Sequence, residues 1–331
     1  MAYLTDWYII NMDKQTKRTF IHIGYPKCAS TYLQQEVFPD MGNFVDLTKQ
    51  PHATKWMLLS DADPAEFRKQ IKEVMPCDKP EKDYEIISYE GFVPNLFHSF
   101  TDMFWDTRRM EVSQYRNPKR SVVEKLAEAY PDAYIIIIIR EQIAWAVSQY
   151  KMYWRRGHTE RHIDEYINRH EDGYDKVIEE YQKAFGVDKV KVIPFELLRI
   201  DPKAFVCGVT EFIDPSHEPS ISEKRVNYAP SLLKVVSYQR NKRVFKLKLK
   251  ADLERSNIFK RVSMRILWHL TNILSLPYYS FKHGEEKDQV TVSDSVIKRV
   301  LPGIVASNRK LEQLTGLDLQ RFGYRMDKIL E

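Results

Sequence analysis

Cysteine is scarce: the 331 residues hold three, Cys28, Cys77 and Cys207. They stand far apart, with neither the close pairs of a zinc site nor the even count of a disulfide framework, so free thiols in a reducing compartment are the simpler expectation. Long apolar runs are missing too. The N-terminal M-A-Y-L-T-D-W-Y-I-I carries Asp6 and no basic leader, which speaks against a signal peptide or anchor. Ile266–Phe281 has no formally charged residue, yet within its sixteen positions it holds His269, Thr271, Asn272, Ser275 and Pro277. A spanning helix needs about 20 predominantly apolar residues, so this reads as a buried or interfacial helix ending near Pro277. The expected location is cytoplasmic, with association at a membrane surface left open.

A strong excess of one charge is also lacking. Charged residues make up 29% of the chain and the net charge is +5, which favours an anionic ligand but falls short of a nucleic-acid coat. No internal repeat or low-complexity tract interrupts the sequence. What is present is apolar and aromatic content of 43% and 12%, enough for a large core. One α/β domain over residues 1–331 is expected, with a basic helical elaboration around residues 230–290. Within it, Arg240–Arg265 carries ten Lys/Arg against Asp252 and Glu254, a surplus of +8.

Four short β-branched runs read as buried parallel strands: Thr19–Ile23, Tyr84–Ser88, Ala133–Ile139 and Lys189–Phe195. Pro194 cannot donate to a ladder, so the last strand should end there. Between them lie helical patterns. Asp63-Pro64-Ala65-Glu66 predicts a capped helix to about Val74, with the glutamate reaching back. Others fit Lys119–Ala129, an aromatic-faced segment after Arg140, and Tyr174–Phe185 stopped by Gly186. Strands alternating with helices predict a P-loop-like three-layer α/β fold, a central parallel sheet flanked by helices.

The first strand runs into Gly24-Tyr25-Pro26-Lys27-Cys28-Ala29-Ser30-Thr31. A strand that delivers its chain into a loop and then a helix start presents free backbone N–H groups and the positive end of a dipole, which favours a phosphate. Lys27 adds a charge, and Ser30 and Thr31 add donors. The glycines of an ATP-binding loop are absent, however: none follows Gly24 until Gly42, and Lys27 precedes Ser30 by three positions instead of adjoining the hydroxyl. A second anion site is suggested at Arg140, with Ser148 eight residues on, about two turns of helix.

With these two stretches the chain resembles the sulfotransferases that use 3'-phosphoadenosine 5'-phosphosulfate (PAPS). Y-P-K-C-A-S-T-Y-L, Tyr25 to the residue after Tyr32, is similar to their 5'-phosphosulfate loop, and Arg140…Ser148 to their 3'-phosphate site. The segment ending I-P-F-E-L-L-R-I-D-P and the closing N-R-K-L-E-Q-L-T-G-L-D-L-Q-R-F-G-Y extend the resemblance to Tyr324. It departs at Ala29, where the family usually has glycine, and at Phe195, where cytosolic members place a tyrosine; a packing role near adenine survives the second change.

The resemblance implies PAPS as co-substrate, 3',5'-ADP as product, and no required metal. It places Lys27 at the bridging oxygen with Tyr25, Pro26, Cys28, Ala29, Ser30, Thr31 and Tyr32 forming the cradle, and Arg225 on a loop closing over the nucleotide. The histidine base of cytosolic members, in its Lys-Thr-His-Leu-Pro context, has no counterpart here. Carbohydrate-acting members place a glutamate base in this region, and the resemblance implies that role for Glu90, in I-I-S-Y-E-G-F at the end of the second strand, where α/β sheets gather ligands. A solvated or salt-bridged loop carboxylate is the other reading. His98 is the reserve, and His22 reads as a packed histidine.

After Ser148, K-M-Y-W-R-R-G-H mixes aromatic and basic groups suited to an acidic saccharide. Tyr153, Arg155, Arg156 and His158 are the candidates there, although buried aromatics and solvated arginines explain the run equally well. The acceptor is expected to be a small molecule, a saccharide or a glycolipid, not nucleic acid. Residues 240–280 either touch a membrane, hold a polyanionic acceptor or form a solvated basic helix. Two other classes are weighed: a P-loop-related nucleotide kinase or NTPase, and a non-catalytic nucleotide-binding protein at a membrane surface.

Overall fold

A computed structural model describes residues 17–50, 63–93, 121–155, 162–167, 173–219 and 290–327, with backbone alone at 153–155. Packing divides the chain into two compact units. One comprises Met1–Glu141, Asp172–Lys224 and Pro302–Glu331; the other comprises Gln142–Glu171 and Arg225–Leu301.

The first unit is built on five parallel strands: β1 (Arg18–His22), β2 (Phe44–Asp46), β3 (Tyr84–Ser88), β4 (Tyr134–Ile139) and β5 (Val190–Pro194), in the order β2-β3-β1-β4-β5. Ile135 to Ile139 are fully buried, as a central parallel strand covered on both faces demands. The expected strands are all present within a residue or two, and β5 does stop at Pro194. The order reverses direction at β1: the chain first runs outward to β2 and returns through β3, then crosses to β4 on β1's other side. Such a reversal opens a crevice above the C-terminal ends of β1 and β4, where α/β sheets bind ligands.

After the loop behind β1 comes a helical run, α1, that opens at Ser30–Tyr32, widens to a π turn over Leu33–Val37 and closes over Phe38–Met41. Pro39 accounts for the widening. It has no N–H to donate, and its ring crowds the carbonyl one turn back.

Helix α2 (Pro64–Val74) starts on Asp63, whose carboxylate accepts from Ala65 N–H at 2.9 Å. Glu66 does not reach back as expected: it accepts from the Gln70 amide instead. Helix α3 (Val122–Ala129) begins later than expected because Ser121 and Glu124 form a reciprocal capping box. Helix α6 (Tyr174–Phe185) ends, as expected, at Gly186, whose φ of 98° suits glycine. A later helix, α8 (Pro202–Ile213), is capped by Asp201 after the short turn α7 (Leu197–Ile200).

In the second unit, α4 (Gln142–Arg155) is the helix expected after Arg140, and Tyr150 meets Tyr166 of α5 (Ile163–Ile167) ring to ring at 5.7 Å. The long helix α9 (Asp294–Thr315) follows later in the chain, and from Pro302 on its residues belong to the first unit. Among the described residues no helix is long and apolar enough to cross a membrane. The segments Arg240–Arg265 and Ile266–Phe281 lie outside the described residues, as do His98, Arg156, His158 and Arg225.

Candidate active site

All the candidate groups described in the first unit emerge from the C-terminal ends of its strands. β1 delivers the loop 24–29, β3 delivers Glu90, β4 delivers Arg140, and β5 delivers Phe195. Because β3 and β4 flank β1, Glu90 rises on one side of the loop and Arg140 on the other.

Two residues of the loop that are not glycine have left-handed backbones, Lys27 at φ 69° and Ala29 at φ 63°. Each such residue costs about 1–2 kcal/mol, because Cβ crowds the following carbonyl. Strain of this kind persists where the surroundings over-determine it, and it recurs in loops whose successive N–H groups bind anions. Ala29 immediately precedes α1, so its conformation sets the entry of that helix. This explains why a glycine is usual there, and alanine is the smallest side chain that can replace it.

Gly24 is required for a different reason. A β-carbon on it would fall 2.5 Å from His22 Cε1 and 2.6 Å from Ser30 Oγ. Both are side chains packed directly beneath the loop.

Arg140 is tied to the loop. Its Nη1 donates to the Lys27 carbonyl at 3.1 Å, and its guanidinium lies 4.6 Å from the centre of the Phe195 ring. The Arg140 carbonyl accepts from Tyr174 Oη at 2.7 Å, and the Tyr174 ring meets Tyr25 edge-on at 4.9 Å. Phe195 thus carries the arginine on its face. Beside it, the Glu196 carboxylate accepts from Glu141 N–H at 3.0 Å.

Glu90 opens a tight turn, Glu90–Phe92, and is half-buried. The turn is rigid: Tyr89 N–H donates to the His22 carbonyl at 3.1 Å, and Tyr181 Oη donates to the Phe92 carbonyl at 2.6 Å. A side chain at Gly91 would collide with the Tyr89 ring, so glycine follows Glu90 because of local packing.

Charges of both signs meet at Cys28. Burial drives its thiol well above the usual range; Arg140 pulls it down, Glu196 and Glu90 push it up, and Lys27 pulls it down. The thiol is inert by burial, and the charges of Lys27, Glu90, Arg140 and Glu196 all act on it.

Ser30 and Tyr32 are buried, while Pro26 and Thr31 are partly open. Ser148 lies half-buried on α4 in the second unit, followed on that helix by Tyr153 and Arg155. Gln34, Ser88, Tyr174 and Glu196 belong to the site's framework and were not singled out from the sequence. Ser88, two residues before Glu90 at a strand end, carried the one usable signal. Among the described residues no His, Cys, Asp and Glu cluster could hold a metal ion.

A central parallel sheet flanked by helices, with a loop and a helix start after its middle strand, defines a P-loop-like α/β protein. Residues 20–219 match the model of the sulfotransferase family, and the chain belongs to that family, whose chemistry is sulfuryl transfer. Among solved structures it is similar to the sulfotransferase from Alicyclobacillus acidocaldarius, at 17% identity over 74% of this chain and 99% of that one, with a TM-score of 0.37. No curated protein matches.

Proposed function

We infer that the chain transfers the sulfuryl group of PAPS to a hydroxyl of a carbohydrate or glycolipid-like acceptor and releases 3',5'-ADP. The observation that carries this reading is that Lys27, Glu90 and Arg140 follow the C-terminal ends of three neighbouring strands, β1, β3 and β4, with Arg140 hydrogen-bonded to the Lys27 carbonyl. Two cations and one carboxylate meet the needs of the reaction: a cation for the leaving phosphate, a cation for a second phosphate, and a base for the hydroxyl.

The residues present fit such a donor. Lys27 and Ala29 have the left-handed backbones common in anion-binding loops, and Tyr25 to Tyr32 would form the cradle. Arg140, with Ser148, would hold the 3'-phosphate, and Phe195 and Arg225 the nucleoside side. As the acceptor oxygen attacks sulfur, Glu90 takes its proton, and the Lys27 ammonium stabilises the charge gained by the bridging oxygen when its bond to sulfur breaks. The scheme uses no metal.

For the acceptor, the basic and aromatic run of Tyr153, Arg155, Arg156 and His158 suits a sugar bearing anionic groups. The basic segment at residues 240–280 would serve as a membrane-facing or acceptor-holding part of one sulfotransferase domain.

The test of the base is Glu90→Gln. Transfer of labelled sulfate to a responsive acceptor should fall by about 10²–10⁴-fold, while 3',5'-ADP binds as in the wild type. Turnover near the wild-type rate would remove Glu90 from the role.

A further inference from the structure

A buried polar chain runs beneath the loop. β1 and β3 pair in parallel with His22 opposite Ser88, which places both side chains on one face of the sheet, and His22 Nδ1 lies 2.8 Å from Ser88 Oγ. Ser88 Oγ also accepts from Gln34 Nε2 at 3.0 Å, and Gln34 sits on the π turn of α1. The chain therefore joins the strand that leads into the loop, the strand that leads to Glu90, and the helix that leaves the loop.

Counting donors gives the chain a direction. With Gln34 donating to Ser88 Oγ, the Ser88 proton is available to its other neighbour, His22 Nδ1. His22 is completely buried and burial holds it neutral, so its ring carries one proton, which sits on Nε2 in the tautomer that accepts from Ser88. Nε2 has no hydrogen-bond partner among the described residues. Leaving a buried donor unpaired costs about 1–3 kcal/mol, so such an atom calls for a reason.

Its position supplies one. Nε2 and Ser30 Oγ each lie 2.6 Å from the point a β-carbon on Gly24 would occupy, and Gly24 leaves that point empty. The Ser30 hydroxyl makes only a long contact, 3.4 Å, to the Tyr25 carbonyl.

We propose that His22 is a positioning residue that acts through Ser30: when an anion fills the loop, the Nε2–H of the tautomer that accepts from Ser88 comes to donate to Ser30 Oγ, so that the Ser30 proton turns into the loop toward the anion. The completed relay runs from Gln34 to Ser88, His22, Ser30 and the anion, each group donating to the next, and aligned bonds of this kind strengthen one another. The same relay links the ends of β1 and β3, and so couples the occupied loop to the strand that carries Glu90. This rests on the reading of the loop as a phosphosulfate site.

Titration of the full-length protein with 3',5'-ADP tests it in wild type, His22→Asn, Ser30→Ala and the double variant. Asparagine can still accept from Ser88 but lacks a donor at the Nε2 position. Each single change should weaken binding by about five- to tenfold, and the double variant should be no weaker than Ser30→Ala alone. His22→Gln, whose amide reaches the Nε2 position, should recover most of what His22→Asn loses.

Effects that multiply in the double variant would overturn the relay while leaving the donor reading intact. A wild type indifferent to 3',5'-ADP would remove both. Should the His22 variants fail to fold, nitrogen-15 spectra of the wild type with 3',5'-ADP decide the matter: an Nε2–H tautomer supports the relay, and an Nδ1–H tautomer contradicts it.

Discussion

Arg140 donates from Nη1 to the backbone carbonyl of Lys27 at 3.1 Å, across 113 positions of the chain. The end of β4 thereby fixes the left-handed residue at the heart of the β1 loop, and the group proposed for the 3'-phosphate also shapes the cradle proposed for the phosphosulfate. Planar donors can serve a carbonyl and an anion together, which a lysine ammonium at that place cannot reproduce.

Arg140→Ala should therefore lower affinity for 3',5'-ADP by about tenfold or more and erase the preference for 3',5'-ADP over adenosine 5'-monophosphate. Calorimetric titration of both nucleotides checks this. A preserved preference would place the 3'-phosphate elsewhere.

Ala29 holds a φ of 63°, a conformation in which glycine is at ease and alanine is not. Ala29→Gly should raise stability by about 0.5–1 kcal/mol, strain relief outweighing the greater freedom of the unfolded chain, and raise Tm by about 1–2 °C. Ala29→Val should lower stability by at least about 2 kcal/mol, because a β-branched side chain tolerates this backbone worst. Thermal unfolding of the two variants reads the sign directly.

Burial lowers His22 to about 3, against 6.5 for the free side chain. Between those values the unfolded chain binds a proton that the folded chain does not, so stability is full above about pH 6.5 and falls as pH drops toward 3. The slope from this one group approaches about 1.4 kcal/mol per pH unit, or about 2 kcal/mol between pH 6.5 and 5. Asp214 titrates in a lower window. Burial tends to raise it, but bonds from Lys82 and Ser216 prevail and hold it at about 2, so its contribution is present above about pH 4 and is lost only below that. Denaturant titrations at pH 7, 6 and 5 should thus show a slope that His22→Asn flattens. An unchanged slope would mean that His22 is charged in the folded protein.

Much of this fold was legible in the sequence because its strands are buried on both faces. Five isoleucines in a row can only be a short interior strand or a buried helix, and length decides between them. β2 escaped notice because Phe44–Asp46 is three residues long and ends in an acid. The cap at Asp63 was readable, whereas Glu66 bonded to Gln70 because a neighbour one turn ahead competes with the helix start.

At the site, Lys27, Glu90 and Arg140 were visible as residue types at strand ends. The left-handed turns at Lys27 and Ala29 were not, since no glycine marks them. Nor was the chain from Gln34 through Ser88 to His22, because it depends on the register between β1 and β3 and on the π turn forced by Pro39.

The most direct measurement of the central claim is stabilisation of the full-length protein by nucleotide, compared for 3',5'-ADP, ADP and ATP with magnesium. A ligand at 100 times its Kd adds about 2.7 kcal/mol, a clear rise in Tm. The account predicts such a rise with 3',5'-ADP and little or none with the other two. A preference for ATP with magnesium would contradict it and make the loop after β1 a nucleoside triphosphate site.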